Sequence, residues 1–331
     1  MFDSVRSKRH LDVDTLSGVL ILQMIFVVYC AKLSGIKGIV IDSEMLMMQF
    51  FMPWFFYKSG MFYHAVSIGE TIKKGICHFI KPFIIFSLIG WMVIVIVPGI
   101  FIFHREIGSL IKDTFGHFVY DGSIRGNYAL WFLLSLFAVK CIFVIFSKLR
   151  VPIFVIVALG GTLACVHNWF FLNMPVYLGN IPNGLLFYSL GYLMRDAQFM
   201  NKTLIISILA SLLMIPYIGY LDFRANAISQ GRNNYVITEV FIFCEIIIAN
   251  KIVKRWGGCN RQNVFATVGR STMILYVTHY IILVVSQNAI TILFKESNPY
   301  VMFGINSLTL FIMLTVIYFV FKNKALKRLC F

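Results

Sequence analysis

Residues 45–63 have the sequence MLMMQFFMPWFFYKSGMFY, which is apolar enough to cross a bilayer yet carries Lys58, Ser59 and Gly60. A cation in hydrocarbon costs roughly 2.5–3.5 kcal/mol, so its head group normally faces protein, water or the interface. Ser59 adds a hydroxyl, and Gly60 lets another backbone or a ligand come close. The pattern predicts a helix with a polar inner side, although Lys58 could instead snorkel to a lipid head group.

The composition of the whole chain is that of a membrane protein. Hydrophobic residues make up 59% of the 331 residues, charged residues make up 13%, and the mean hydropathy is +0.83. Ordinary soluble domains do not reach these values. A net charge of +15 would indicate nucleic acid in a soluble chain. Here the distribution of charge among the loops indicates topology, so we expect membrane lipid and not nucleic acid as a partner.

Repeated apolar runs of about 20 residues predict an all-α polytopic protein with about ten transmembrane helices. The sixth run is interrupted by Gly179, Pro182 and Gly184, which favours a broken helix. The expected spans are 12–33, 44–64, 79–103, 127–147, 151–168, 173–194, 203–221, 234–250, 267–290 and 300–321.

Basic residues are unevenly distributed between the two sides of these spans. With both termini cytoplasmic, the tails and cytoplasmic loops hold 19 of the 29 Lys and Arg residues, and the opposite side holds eight. The other two, Lys58 and Lys140, lie within spans. This bias follows the positive-inside rule and predicts a multi-pass protein of the cell (inner or plasma) membrane with both termini inside.

Three other sequence patterns narrow the possible functions. The seven cysteines are scattered without metal-ligand spacing, so we expect no metal site and no bound cofactor. The first apolar run is long and lacks a small-residue cleavage pattern, so we expect it to stay as the first span. No repeat or soluble appendage is visible, and residues 1–331 are interpreted as a single transmembrane domain.

Three candidate functional positions lie in the predicted spans. Tyr276 and His279 are three residues apart and share one helical face, with Arg270 at the cytoplasmic entrance. An imidazole can take a proton from a hydroxyl near neutral pH, although His279 could equally be a neutral core histidine. Trp131 could stack on a sugar or belong to the aromatic belt of the outer interface.

Two further features are open to a structural interpretation. Asp14 enters the first span beside the basic tail, where its carboxylate could cap the helix or pair with Arg9. The longest outer loop, 104–126, could close over an extracytoplasmic acceptor such as a sugar, or could be a solvated connector.

These motifs together resemble the acyltransferase 3 family of integral membrane proteins, which acylate cell-surface glycans. The resemblance covers nearly the whole chain in order, and that family also has ten spans. It rests on Asp14-x-Leu16-x-Gly18, on Pro53, Phe55, Phe56, Ser59 and Gly60, on Trp131-Phe132, on Gly191-Tyr192, and on Gly269-Arg270-x-Thr272 followed by Tyr276 and His279.

The resemblance implies transfer of an acyl group from cytoplasmic acyl-CoA to a glycan hydroxyl at the membrane or outside. On this hypothesis His279 is the base or orients it, and Tyr276 and Ser59 hydrogen-bond the acyl carbonyl or the acceptor. The substrate-binding residues are Trp131, which stacks on sugar, Lys58 and Arg270. The CoA phosphates are assigned to Lys73, Lys74, Lys148 and Arg150, which the positive-inside rule explains equally well.

One departure from the family pattern concerns the first span. The family usually carries an arginine there and, eleven residues later, a histidine thought to be the catalytic base. The aligned positions in this chain are Ser17 and Val28, and neither side chain can do that work. Either His279 with Tyr276 has taken over proton transfer, or the site differs, or the chain is a polysaccharide transporter or a catalytically inactive relative in glycan assembly.

Overall fold

A computed structural model of the protein describes residues 11–31, 34–36, 49–101, 103–121, 124–170, 174–195, 201–217, 221–222, 227–228, 235–256, 263–294, 298–321 and 323. Within these residues the fold is helical apart from a two-residue antiparallel pair, β1 (Leu221–Asp222) with β2 (Ala227–Ile228).

The first half of the chain contains one long composite rod. π-helical segments at Ile76–Ile80 and Trp91–Ile96 join three α-helices into a continuous apolar helix over Ile68–Phe101. A further π-helical segment, Met24–Ala31, extends the first helix. The helices are α1 (Leu11–Gln23), α2 (Phe51–Met61), α3 (Ile68–Gly75), α4 (Lys81–Gly90), α5 (Val97–Phe101) and α6 (Ile107–Asp121).

In the second half, a 3-10 turn at Tyr128–Leu130 comes directly before helix α7, and another at Ile215–Tyr217 directly follows helix α11. The helices are α7 (Trp131–Lys148), α8 (Ile153–Phe170), α9 (Val176–Gly179), α10 (Ile181–Met194), α11 (Asn201–Met214), α12 (Tyr235–Trp256), α13 (Val264–Arg270), α14 (Thr272–Phe294) and α15 (Pro299–Val320).

The structure confirms a helical membrane protein. Five helices in the described ranges are long and apolar enough to span a bilayer: Leu11–Val28, Ile68–Phe101, Tyr128–Lys148, Thr272–Ile292 and Pro299–Val320. Two shorter apolar helices are Ile153–His167 and Thr203–Tyr217. The predicted total of ten spans and the cytoplasmic position of both termini stay predictions, as does the single-domain interpretation.

Two predicted spans can be compared in detail with the observed helices. The predicted break in the sixth span is confirmed, because Asn180 separates α9 from α10 and Pro182 lies in the first turn of α10. The helix of the third predicted span begins at Ile68 rather than near residue 79. The reason is that the polar turn that contains Lys73 and Lys74 is also helical. Residues 37–48, at the start of the predicted second span, lie outside the described residues.

Glycines from the recognised motifs meet each other where helices cross. A Cβ on Gly269 would lie 1.7 Å from the Asp14 carbonyl oxygen, and a Cβ on Gly18 would lie 2.0 Å from that of Phe265. At the second crossing, of α2 with α10, a Cβ on Gly60 would lie 1.9 Å from the Tyr188 carbonyl oxygen. Small residues allow such backbone contact between membrane helices. The two crossings fix α1 against α13 and α2 against α10.

The core between these crossings is aromatic. Trp54, Phe56 and Tyr57 of α2 are fully buried, and Phe143 and Tyr188 pack beside them. Large apolar side chains on the outer faces of α4, α8, α11 and α15 are exposed, as expected for surfaces that contact lipid. The aromatic core therefore lies on the inner side of α2, beside Lys58.

The predicted outer loop 104–126 contains a helix, α6, instead of an irregular connector. The indole of Trp91 donates a hydrogen bond to Thr114 Oγ1 at 2.8 Å, which ties α6 to the long rod. Asp113 accepts from Arg105 at 2.7 Å and from Arg125 at 3.2 Å. The hydrogen bond from Arg105 lowers the pKa of the Asp113 carboxyl.

Candidate functional site

An ion cluster joins α1, α2 and α13 at the first glycine crossing. Asp14 Oδ2 lies 3.3 Å from Arg270 Nε, and Asp14 Oδ1 lies 3.7 Å from Lys58 Nζ. These side chains are 14–23% exposed. Partly buried charges need partners, because taking an unpaired charge out of water is costly. Lys58 is therefore held inward by protein partners, which is one of the two alternatives that the sequence left open. Arg9, the other predicted partner of Asp14, lies outside the described residues.

Ser17 is the hydrogen-bonding centre beside this cluster. Its hydroxyl donates to the carbonyl of Val13 at 2.7 Å and accepts from Lys58 Nζ at 2.8 Å and from Trp54 Nε1 at 3.1 Å. A serine at this position cannot supply the cation that the family pattern expects, but it binds one from α2. The positive charge at this place in the fold is the Lys58 ammonium group.

Two cavities adjoin next to Lys58. The smaller one, about 270 Å³, is lined by Lys58, Ser59 and Tyr276 together with apolar side chains of α1, α2 and α7. The larger one, about 540 Å³, is lined by Arg270 and Lys74 and also by Ser59. The residues that line both cavities are Ser59, Phe62, Lys140 and Met273. We call these four residues the junction.

The larger cavity has a basic lining. Thr71, Lys74, Gly75 and His78 form one face of the α3 segment, at helical spacing, and all four line it. Lys74 Nζ also pairs with Glu70 at 2.5 Å. Lys74 is thus the permanent cation on this face, and Glu70 partly neutralises it.

Lys140 brings a further cation to the junction. Its Nζ lies 4.9 Å from the centre of the Phe79 ring, a cation–π distance. In the sequence, Lys140 is one of two basic residues that lie within the predicted spans. The structure places it on the wall of both cavities.

Tyr276 and His279 occupy different environments. The Tyr276 ring lines the smaller cavity, and its hydroxyl donates to the carbonyl of Ala129. His279 is completely buried and does not line either cavity. Its Nδ1 lies 2.7 Å from the Tyr276 carbonyl oxygen, so the ring proton is on Nδ1 and Nε2 carries the lone pair. The predicted base thus lies behind Tyr276, with the rings 5.9 Å apart.

The remaining predicted site residues are divided between the cavity and the surface. Trp131 is 5% exposed and packs against Phe132. Phe132, and not Trp131, lines the smaller cavity, where its ring meets Tyr276 edge-on at 5.7 Å. Among the four residues predicted to hold CoA phosphates, Lys74 lines the larger cavity. The exposed side chains of Lys73, Lys148 and Arg150 do not.

Sequence reasoning missed two histidines, His64 and His78, which line the larger cavity. His78 Nδ1 lies 2.8 Å from the carbonyl oxygen of Lys74 and donates a hydrogen bond to it. The available signal was the spacing of four residues between Lys74 and His78, which places both on one helical face. In the described part of the chain, no group of three His, Cys, Asp or Glu side chains could hold a metal ion.

The arrangement combines cations, hydroxyls and apolar walls in a way that suits acyl chemistry. Lys58, Lys140 and the hydroxyl of Ser59 are hydrogen-bond donors at or beside the junction, where they can stabilise negative charge on a carbonyl oxygen. The apolar smaller cavity can hold a short hydrocarbon group. The larger cavity offers cations and imidazoles.

The fold and the site therefore define a helical membrane protein with a cation-lined pair of cavities. The family model for an acyltransferase domain, Acyl_transf_3, matches residues 11–321, and the chain belongs to this family of membrane acyltransferases. The match confirms the resemblance that the sequence motifs indicated. No curated protein and no solved structure matches the chain.

Proposed function

We propose that the protein is a membrane O-acyltransferase of the cell (plasma) membrane that moves an acyl group from acyl-CoA to a hydroxyl of a cell-surface glycan. The observation that carries the proposal is the pair of cavities that adjoin beside Lys58. Both linings are mostly apolar; the smaller cavity carries Lys58 and Lys140, and the larger cavity carries Lys74, Lys140 and Arg270 together with two histidines. This pairing suits a donor with a short apolar group at one end and phosphates at the other.

The donor fits the cavities in one direction. The acyl group occupies the smaller cavity against Phe132 and Tyr276, and the thioester lies at the junction beside Ser59. The pantetheine arm passes into the larger cavity, where Lys74 and Arg270 attract the phosphates. Lys73, Lys148 and Arg150 add positive charge outside the cavity, which favours approach of the anionic donor.

In the reaction, the acceptor oxygen attacks the thioester carbonyl carbon, and negative charge develops on the carbonyl oxygen. The Lys58 ammonium and the Ser59 hydroxyl stabilise this charge. The C–O bond of the ester forms as the C–S bond breaks. The proton of the acceptor hydroxyl moves to an imidazole and then to the sulfur of the leaving CoA, so charge and atoms balance.

The histidines divide this work according to their access. His64 and His78 line the larger cavity and can meet an acceptor hydroxyl directly. His279 lies behind Tyr276 and acts as a positioning residue, because its Nδ1 hydrogen bonds hold the helix at the carbonyl of Tyr276. Trp131 supports the wall through Phe132, and its stacking on sugar stays a prediction.

The direct test uses purified protein in vesicles with acetyl-CoA as donor and extracted membrane glycan as acceptor. We expect release of CoA thiol together with acetyl esters on the glycan. Ser59→Trp, which fills the junction, is expected to abolish both, and Gly304→Ala, where a Cβ would meet nothing within 4 Å, is the matched control. If correctly folded protein released no CoA thiol, the hypothesis of a transporter or of an inactive relative would be favoured instead.

A further inference from the structure

Asn127 is a buried amide that lies between three elements of the fold. It directly precedes the 3-10 turn Tyr128–Leu130, a place where an asparagine side chain commonly caps the helix that follows. Here the side chain makes no such cap. Its Nδ2 donates instead to the carbonyl of Val277 on α14 at 3.1 Å and lies 3.5 Å from the carbonyl oxygen of Phe86 on α4. The amide therefore links the start of α7 to α14 and to the long rod.

A backbone contact between two glycines brings Asn127 this close to the rod. Gly126 has a φ of +106°, a conformation that residues other than glycine rarely adopt. A Cβ on Gly126 would lie 2.6 Å from the carbonyl oxygen of Gly90, and a Cβ on Gly90 would lie 2.7 Å from that of Gly126. A side chain at either glycine would push the two segments apart, and Asn127 would lose its reach to α14.

Tyr276 supplies a hydrogen bond in the opposite direction. Its hydroxyl donates to the carbonyl of Ala129, two residues after Asn127. Asn127 in turn donates to the carbonyl of Val277, one residue after Tyr276. Each segment thus donates a side-chain hydrogen bond to the backbone of the other, and we call these two bonds the clasp. All four residues are at most 6% exposed, so water does not compete for either bond.

The clasp lies directly behind one wall of the smaller cavity. The Tyr276 ring lines that cavity, as does Phe132, which follows Ala129 by three residues. The two rings meet edge-on at 5.7 Å. Both rings therefore take their positions from the segments that the clasp joins. Asn127 lines neither of the two cavities, so it acts through these rings and not by contact with a ligand.

The stability of the fold does not account for the amide. Because Nδ2 faces two carbonyl oxygens, Oδ1 points away from them, and within the described residues this oxygen is buried without a hydrogen-bond partner. A buried acceptor in that state destabilises a fold, whereas an apolar group of the same shape does not. The carbonyls of Val277 and Phe86 lie within helices, where backbone N–H groups also serve them. The main effect of the amide is therefore the placement of Val277 and of its neighbour Tyr276.

We propose that Asn127 is a positioning residue of the transfer site, which through the clasp sets the wall of the smaller cavity and so the length of the acyl group that this cavity accepts. The inference rests on the proposed function for the presence of an acyl group in the smaller cavity. It adds a residue that limits the choice of donor from outside the cavity.

The test compares purified full-length wild type, Asn127→Leu and Asn250→Leu in vesicles, with acetyl-CoA, butyryl-CoA and octanoyl-CoA as donors and extracted membrane glycan as acceptor. Leucine has nearly the shape of asparagine but lacks the donor. Asn250 is the matched control, because its buried amide donates to the carbonyl of Ile246, one turn earlier in the same helix, at 2.9 Å. Asn250→Leu should keep the wild-type rates with all three donors.

For Asn127→Leu we expect kcat with acetyl-CoA to fall about tenfold or more, because the carbonyl is less well placed against the loosened wall. The KM for acetyl-CoA should change little, since the larger cavity that receives the phosphates is unaltered. The ratio of the octanoyl rate to the acetyl rate should rise about tenfold, because the wall can now yield to a longer chain. The thermal midpoint should stay close to that of the wild type.

The outcomes separate this inference from the proposed function. If the wild type released no CoA thiol, the proposed function would fail. If the wild type were active and Asn127→Leu kept its chain-length ratio, or lost activity with all donors equally together with its thermal midpoint, the clasp would be structural only and the inference would be overturned. Tyr276→Phe removes the other bond of the clasp but keeps the ring, so it should shift the same ratio in the same direction. An unchanged ratio in that variant would equally overturn the inference, even if Asn127→Leu did not fold.

Discussion

Replacing Gly269 with alanine tests how the glycine crossing positions the ion cluster. The new Cβ would lie 1.7 Å from the Asp14 carbonyl oxygen and 2.6 Å from its carbonyl carbon, whereas ordinary contact begins at 3.4 Å. These atoms are backbone and cannot rotate away. Gly269→Ala must therefore push α13 from α1, and Arg270 moves with α13.

The size of the effect follows from that displacement. Forcing a methyl group into a packed contact costs about 1–3 kcal/mol, and backbone contact on this scale lies at the upper end or above. The 3.3 Å contact between Arg270 Nε and Asp14 also opens. A misplacement of about 1 Å at a reactive centre can lower the rate about 10²-fold. We expect both a lower thermal midpoint and a large loss of activity.

The assay compares Gly269→Ala with Gly304→Ala, in which the added Cβ would meet nothing within 4 Å. Thermal unfolding in detergent and CoA thiol release in vesicles are measured for both. Gly304→Ala should match or slightly exceed the wild-type midpoint, since alanine favours a helix over glycine. If Gly269→Ala had the thermal midpoint and the activity of the wild type, the close contact between Gly269 and Asp14 would be refuted.

Three further predictions concern single side chains. Lys140→Met is expected to lower acyl transfer about 10²-fold by removing a donor at the junction, measured as thiol release, with little change in thermal midpoint; an unchanged rate would remove Lys140 from the site. In a thiol-release assay, His279→Gln should retain more activity than His78→Gln, because of these two histidines only His78 lines a cavity. The reverse order of activities would make His279 the base. The pKa of Asp113 is held below its ordinary value of 3.8 by Arg105 and Arg125. Its pairing therefore adds stability to α6 at neutral pH, and this contribution declines as pH falls below 3.8 and is gone below the lowered pKa. The protection of α6 amides from hydrogen exchange should fall across that range, and Asp113→Asn should show the lower protection already at about pH 7.

Local sequence patterns predicted the helical class and the break in the sixth span, and they left the inward direction of Lys58 as one of two alternatives. These features depend on hydropathy, on proline chemistry and on the cost of a bare charge in hydrocarbon, all of which are local. The sequence motifs also include Gly18, Gly60 and Gly269. The motifs gave no indication that Gly18 and Gly269 meet at one helix crossing.

The contacts of the site could not be predicted from one sequence. Arg270 and Asp14 are 256 residues apart, and only the packing of α13 on α1 brings them together. Helical spacing put Tyr276 and His279 on one face but could not determine which of them reaches a cavity. The positions of His64 and His78 at the cavity wall likewise depend on how the Ile68–Phe101 rod packs against α7.

In the proposed reaction, Lys58, the cation beside the junction of the two cavities, activates the thioester. The most direct measurement is the rate of CoA thiol release by purified wild-type protein, Lys58→Arg and Lys58→Met in vesicles with acetyl-CoA. Lys58→Met removes the ammonium that Ser17 holds at 2.8 Å but keeps an unbranched side chain. We predict a loss of about 10²–10³-fold in Lys58→Met and a smaller loss in Lys58→Arg, which keeps the charge. Equal rates in all three proteins would contradict the account.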